Sequence, residues 1–288
     1  MGVGTALADR VGEALDGLVV AATRLGGGDV AEAYRVDLED GRVVFAKTHR
    51  DPPPLFFPTE AASLRWLGGS GAVRVPKVLA VDEAMLALEW IAEGPPRRDT
   101  DANFGAQLAA LHLAGAPSFG RADRATTTSR SLPNQPCETW AEFFAACRLV
   151  PLAGLGADSG ALDGATAARI EALAGRLGRM GVPREPPARL HGDLWAGNRL
   201  MDGDGNSWLI DPASHGGHRE FDLAMMALFG GFGPACWAAY EEASPLADGW
   251  QDRVPLHQLA PLITHAIKFG GGYVAAVDRA LEAAERLG

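Results

Sequence analysis

The chain has 288 residues, a net charge of −10 at pH 7 and 47% hydrophobic residues, enough for one or two domains with a full core. Its acidity argues against a nucleic-acid partner, because binding a phosphate backbone needs a basic surface. No apolar run reaches membrane-spanning length, and Met1 to Arg10 lacks the basic and apolar blocks of a signal peptide, so a cytoplasmic protein without a membrane partner is expected.

A short amphipathic helix is predicted over residues 5–17, with Leu7, Val11, Ala14 and Leu15 on one face. Residues 18–24 read as a strand, Gly26-Gly27-Gly28-Asp29-Val30 as a glycine loop, and residues 31–37 as the return strand. Glycines at such a loop let backbone N–H groups approach nucleotide phosphates without a Cβ in the way. The order is strand, loop, strand, and no Walker-type G-x-x-x-x-G-K-[ST] pattern is present. Asp40-Gly41 makes a tight turn into the strand Arg42 to Lys47. Lysine occurs only at Lys47, Lys77 and Lys268, so a lysine at the end of this strand draws attention as a phosphate ligand. A helix over residues 58–67 carries Glu60, the candidate ion-pair partner of Lys47. As an acid in the first turn, Glu60 would instead merely complement the helix dipole.

Residues 75–81 and 85–91 read as strands, and Ala92 to Pro96 breaks the composition as a hinge. The backbone of Glu89, Trp90 and Ile91 is expected to meet a nucleotide base there. Beyond the hinge, helices are predicted over residues 101–114, 140–149, 166–177, 257–269 and 273–287, with a long loop over 117–136. Cys137, Cys147 and Cys236 lack metal-ligand spacing and read as reduced, buried thiols.

The most informative stretch is His191-Gly192-Asp193 with Asn198, followed by a hairpin at Asp202-Gly-Asp-Gly205 and by Asp211. Protein kinases carry H-R-D-x-x-x-x-N and a later strand-end Asp. Phosphoryl transfer needs a carboxylate facing the acceptor hydroxyl, assigned to Asp193. It also needs hard oxygens that hold Mg²⁺ against the donor phosphates, assigned to Asn198 and Asp211. Asp222, at the start of the helix from Glu220, is placed to brace the loop by accepting its backbone N–H groups. His215 and His218 form a possible metal pair, but two histidines alone are a weak signal.

These residues carry a resemblance. Leu190 to Asn198, Ile210-Asp-Pro-Ala213, Gly217-His-Arg-Glu220, Asp222-Leu-Ala224 and Leu228-Phe-Gly-Gly-Phe232 closely resemble the fructosamine-3-kinase and ketosamine-3-kinase family, and more broadly aminoglycoside phosphotransferases and choline kinases. The resemblance implies an α+β, two-lobed protein-kinase-like fold. Its small N-terminal lobe (1–91) has an antiparallel sheet plus helix, and its larger, mostly helical C-terminal lobe (92–288) is catalytic. It also implies ATP- and Mg²⁺-dependent phosphorylation of a ketosamine 3-hydroxyl in deglycation, by a monomer. Trp195, His215 and Glu220 are expected beside the acceptor. Other hydroxyl acceptors (an aminoglycoside or choline), or a non-catalytic nucleotide-binding module, are the alternatives. Many members carry a cysteine in the glycine loop, tied to redox-sensitive dimerisation. Asp29 stands there in this chain, so loop-disulfide dimers are not expected.

Overall fold

The computed structural model describes residues 3–26, 31–124, 126–127 and 132–287, and side chains from residue 6 onward. Gly27, Gly28 and Asp29 of the glycine loop lie outside the described residues. Helix α1 (Val3–Leu15) leads into strands β1 (Val19–Arg24), β2 (Glu32–Leu38) and β3 (Val43–Thr48). Helix α2 (Phe56–Gly68) and strands β4 (Val78–Val81) and β5 (Met85–Glu89) follow. The five strands form one antiparallel sheet in the order β1-β2-β3-β5-β4.

The sheet sorts its side chains by the two-residue period of a strand. Val44 and Ala46 of β3 pack with Tyr34, Val36, Met85 and Ala87 against Leu7 and Val11 of α1. Phe45, Leu86 and Leu88 take the opposite face, against Phe57, Ala61 and Leu64 of α2. Lys47 alternates with Ala46, so the same period puts it on the α2 face. Helical spacing from Phe57 turns Glu60 toward that face too.

The second half is mainly helical: α3 (Thr100–Leu113), α4 (Trp140–Phe144), α5 (Val150–Asp158) and α6 (Gly164–Ala174), then α7 (Glu220–Phe229), α8 (Pro234–Ala243), α9 (Trp250–Phe269) and α10 (Gly272–Glu285). Between α6 and α7 lie four short strands, β6 (Ala188–Leu190), β7 (Arg199–Met201), β8 (Ser207–Leu209) and β9 (His215–Gly217). They pair as β6-β9 and β7-β8, and both pairs are antiparallel. One apolar cluster joins Leu67 of α2 and Val73 to Phe104, Leu108, Leu194, Leu209, Leu223 and Met226, and so ties the sheet half to the helical half.

Two helical stretches run past the predicted limits and carry proline within them, and a third helix, α8, lies where none was predicted. The helix from Trp140 does not stop at Leu149. It passes through a π turn (Ala145–Leu149) into α5, with Pro151 in the first turn of α5. The wider turn accommodates a residue that has no N–H to give. Helix α9 begins at Trp250 and holds Pro255 and Pro261 within it, while α8 opens on Pro234. None of the described helices is long and apolar enough to cross a membrane.

A buried polar network fixes α7 against α9. Glu220 accepts bonds from Arg253 at 2.6 Å (Nη2) and 2.9 Å (Nε), and lies 3.2 Å from His257 Nε2. His218 accepts the Glu220 N–H on Nδ1 at 3.3 Å, so its Nε2–H donates to the Pro183 carbonyl at 3.2 Å. Burial, reinforced by His257, pushes His218 down to about 4. Burial would raise Glu220, but the bonds from His257 and Arg253 outweigh it and bring the carboxyl to about 2. Both folded values lie below the unfolded ones, so the unfolded chain takes up more protons as pH falls. From these two groups, stability is expected to hold above pH 7 and to decline from about 6.5 toward 4 as unfolded histidine protonates, with Glu220 adding its loss below about 4.5. Buried Asp193, raised to about 7, acts in the opposite sense over the same range, so urea midpoints of Asp193→Asn measured from pH 8 to pH 4 check this; a midpoint independent of pH in that variant contradicts it.

Candidate active site

Lys47 is the meeting point. Its ammonium lies 2.9 Å from Glu60 Oε1 and in direct contact with Asp211 Oδ1. Burial alone would lower its pKa, but the two carboxylates outweigh that and raise it, so it stays charged. Glu60 sits one turn inside α2, which begins at Phe56, and is 5% exposed. It is a buried ion-pair partner and not a first-turn dipole acid. Asp211 adopts a left-handed backbone, φ 54°. That conformation costs a non-glycine residue about 1–2 kcal/mol.

The loop after β6 is held from below by Asp222, which is fully buried on α7. It accepts the His191 N–H at 2.7 Å and the Gly192 N–H at 2.9 Å. Burial would raise its pKa, but its contacts with His112, His191 and Gly192 hold it below the usual range. His112 of α3 reaches Asp222 at 3.3 Å through Nε2 and Tyr240 of α8 at 2.7 Å through Nδ1. His191 accepts the Asp193 N–H on Nδ1 at 3.2 Å and gives its Nε2–H to the Ile210 carbonyl at 2.9 Å. One neutral imidazole therefore sets the spacing between Asp193 and the residue before Asp211. The Ile210 N–H returns to the Asn198 carbonyl at 3.0 Å.

Asn198 donates through Nδ2 to the Asp193 carbonyl at 2.8 Å and to Asp193 Oδ2 at 3.1 Å. Neither bond uses its Oδ1, an orientation assigned from this network. Burial raises the Asp193 carboxyl to about 7, with Asp211 and Asp222 adding to the push and Asn198 opposing it. Asn198 and Asp211 offer an amide oxygen and a carboxylate, a hard donor set that fits magnesium.

These groups lie on a cleft of about 1270 Å³ between the sheet and the helices. Leu25, Ala33, Leu88, Leu200 and Ile210 give it two apolar walls. Gly26 and the segment Glu89, Trp90 and Ile91 line it too. The Glu89 N–H already donates to the Lys77 carbonyl at 2.9 Å, so a ligand must use other backbone groups of that segment. Trp195, also on the cleft, is 41% exposed, with its ring against Gly197 and edge-on to Phe229 at 6.1 Å.

Of the residues expected at the acceptor, Trp195 and His215 line the cleft and Glu220 does not. Glu220 is corrected to a structural role, because Arg253 and His257 consume its carboxylate. His215 and His218 do not act as a pair. His218 joins Glu220 and His257 in the one group among the described residues with metal-like spacing, but Arg253 holds that glutamate and both His218 nitrogens are engaged. Sequence reasoning missed Arg148, His265, Lys268 and Tyr273, which also line the cleft. The retention of lysine at 268 in an arginine-rich chain was the only signal.

A family model described as fructosamine kinase matches residues 5–286. The chain belongs to the fructosamine kinase family. A probable ketoamine kinase from Enterococcus faecium is 37% identical over 89% of this chain and 92% of its own. A fructosamine-3-kinase-type crystal structure from Thermobifida fusca is 43% identical, covers 99% of this chain and 100% of its own, and superposes with a TM-score of 0.89. Choline kinase LicA from Streptococcus pneumoniae, at 15% identity, 98% coverage of both chains and a TM-score of 0.64, shares the fold. As a fructosamine kinase family member, the chain is a phosphotransferase on a two-lobed, protein-kinase-like α+β fold.

The family fold explains why glycine follows His191 here. Gly192 has φ +84°, and a Cβ there would collide with the Ala213 carbonyl oxygen. Gly192→Ala is expected to displace Asp193 and lower turnover about 10²-fold, the scale of a misplacement near 1 Å. Steady-state kinetics beside a melting curve checks it; a folded variant with normal turnover contradicts it.

Proposed function

We propose that this chain transfers the terminal phosphoryl group of ATP, with Mg²⁺, to the sugar 3-hydroxyl of a ketosamine. The phosphate ester formed is unstable and releases the amine, which is deglycation. The observation that carries the reading is the convergence of Lys47, Glu60, Asp211, Asn198 and Asp193 on the floor of one cleft. Residues 1–91 serve as the nucleotide lobe and 92–288 as the catalytic lobe.

The apolar walls take the adenine ring, and backbone groups of the Glu89–Ile91 segment meet its edge. Gly26, on the cleft, opens the glycine run assigned to the phosphates. A LicA structure at 15% identity contains AMP, which supports nucleotide use on this fold. Lys47, steadied by Glu60, neutralises phosphate charge. Magnesium, held by Asn198 and Asp211, would supply further charge neutralisation on the donor phosphates. Asp193 accepts the proton of the acceptor hydroxyl, and its bond from Asn198 fixes the direction of its carboxylate. A carboxyl pushed toward neutrality is a stronger base than an ordinary aspartate. Trp195 presents an indole face to the cationic amine and one N–H donor.

An aminoglycoside acceptor fits less well. That substrate carries several ammonium groups and calls for carboxylates, yet the acceptor end is lined by Arg148, Lys268, histidines and aromatic rings.

Asp193→Asn is expected to lower turnover by roughly 10²–10⁴-fold, the worth of a positioned general base, with ATP affinity unchanged. ADP release with a defined ketosamine measures the first and calorimetry the second; near-normal turnover rejects the assignment. Lys47→Ala is expected to weaken the nucleotide side, and unchanged ATP affinity and turnover together reject that role. Phosphorus NMR of the product locates the ester; a phosphate on any other hydroxyl refutes the proposed regiochemistry.

A further inference from the structure

His215 sits on β9, is among the residues that line the cleft, and is 1% exposed. Its Nδ1 lies 3.0 Å from the Ala213 carbonyl and therefore carries the proton. Its Nε2 is then a bare lone pair, buried and without a partner among the described residues. Natural structures rarely leave such an acceptor unmet, because an unpaired buried polar atom costs stability. The ring is clamped. It stacks on Phe143 at 5.2 Å and meets Phe221 edge-on at 5.7 Å, so Nε2 has a fixed direction.

Beside it is Arg148, from the π turn, 4% exposed and lying over the same Phe143 ring at 4.6 Å. Its donors go to uncharged oxygens: the Pro133 carbonyl at 2.7 Å, the Cys147 carbonyl at 2.8 Å and Asn134 Oδ1 at 3.0 Å. Burial lowers its pKa to about 10, which still leaves it charged. Leu152, Phe221, Met225 and Ala260 complete an apolar surround.

Only some ligand groups suit this corner. A carboxylate would meet the His215 lone pair, and burial holds that imidazole neutral, at about 3. An ammonium would meet Arg148. A hydroxyl satisfies both, donating to Nε2 while its oxygen faces the guanidinium. We propose that His215 Nε2, with Arg148 beside it, forms a subsite for a sugar hydroxyl of the acceptor other than the one phosphorylated, and so sets sugar specificity. This rests on the ketosamine reading above.

The test compares wild type, His215→Phe and His215→Gln on fructosamine and on analogues lacking one hydroxyl each at C4, C5 and C6. His215→Phe keeps a ring against Phe143 and removes the acceptor; the carboxamide oxygen of His215→Gln restores one. In wild type, one deoxy analogue is expected to lose about 10-fold in kcat/KM, the scale of a lost hydrogen bond, chiefly through KM. His215→Phe is expected to lose the same factor on the parent sugar and nothing further on that analogue, while His215→Gln recovers part of the loss. Melting curves and ATP affinity are expected to be those of a folded protein for both variants. If folded His215→Phe discriminates among the sugars as wild type does, or if both variants lose equally on every sugar, the subsite is overturned and the functional reading survives. If wild type phosphorylates no ketosamine, the functional reading fails and takes the subsite with it.

Discussion

One buried ammonium joins the two halves of this molecule. Lys47 comes from the sheet, Glu60 from the helix packed on it, and Asp211 from the far side of the cleft. A buried cation is tolerable only when matched by carboxylates, and removing one partner of such a set is far more costly than the set is worth in stability. The arrangement is therefore poor as a source of stability and effective as a means of positioning. Asp211 reaches the ammonium from a left-handed backbone, a local strain that the neighbouring hydrogen bonds sustain. On the proposed function, phosphates and magnesium enter between these charges, and Glu60 keeps the ammonium in place as they do.

The loop from His191 to Asn198 depends on layers of support that run outward from it. Tyr240 holds His112, His112 holds Asp222, and Asp222 holds the N–H groups of His191 and Gly192. His191 then ties the loop to the strand that delivers Asp211. Helices α3, α7 and α8 thus converge on two backbone N–H groups. A site built this way gains precision because each reactive side chain is set by backbone bonds that are themselves fixed.

The sequence was most legible where geometry is local. Asp193 and Asn198 lie five residues apart on one loop, and the two-residue period of β3 sends Lys47 to one face whatever the rest of the chain does. Helical spacing gave α2, though its true start at Phe56 moved Glu60 out of the first turn and changed its character. What stayed hidden is long-range. Glu220 was expected beside the acceptor from the family resemblance, yet Arg253, 33 residues on, claims it. Arg148, His265, Lys268 and Tyr273 line the cleft only because α9, α10 and the π turn fold across it. Proline usually ends a helix, yet the chain absorbs Pro151 and Pro234 in the first turn of a helix and Pro255 and Pro261 within a long one.

On the proposed function, the cleft offers apolar walls with backbone edges to the nucleotide, and aromatic rings with a neutral imidazole and cations to the acceptor. That asymmetry would suit one cleft to two unlike substrates. The most direct measurement is a crystal structure of the protein with magnesium and a non-hydrolysable ATP analogue. The account predicts the analogue's phosphates against Lys47, with the ion on Asn198 and Asp211; a nucleotide bound elsewhere, or with its phosphates remote from Lys47, contradicts it.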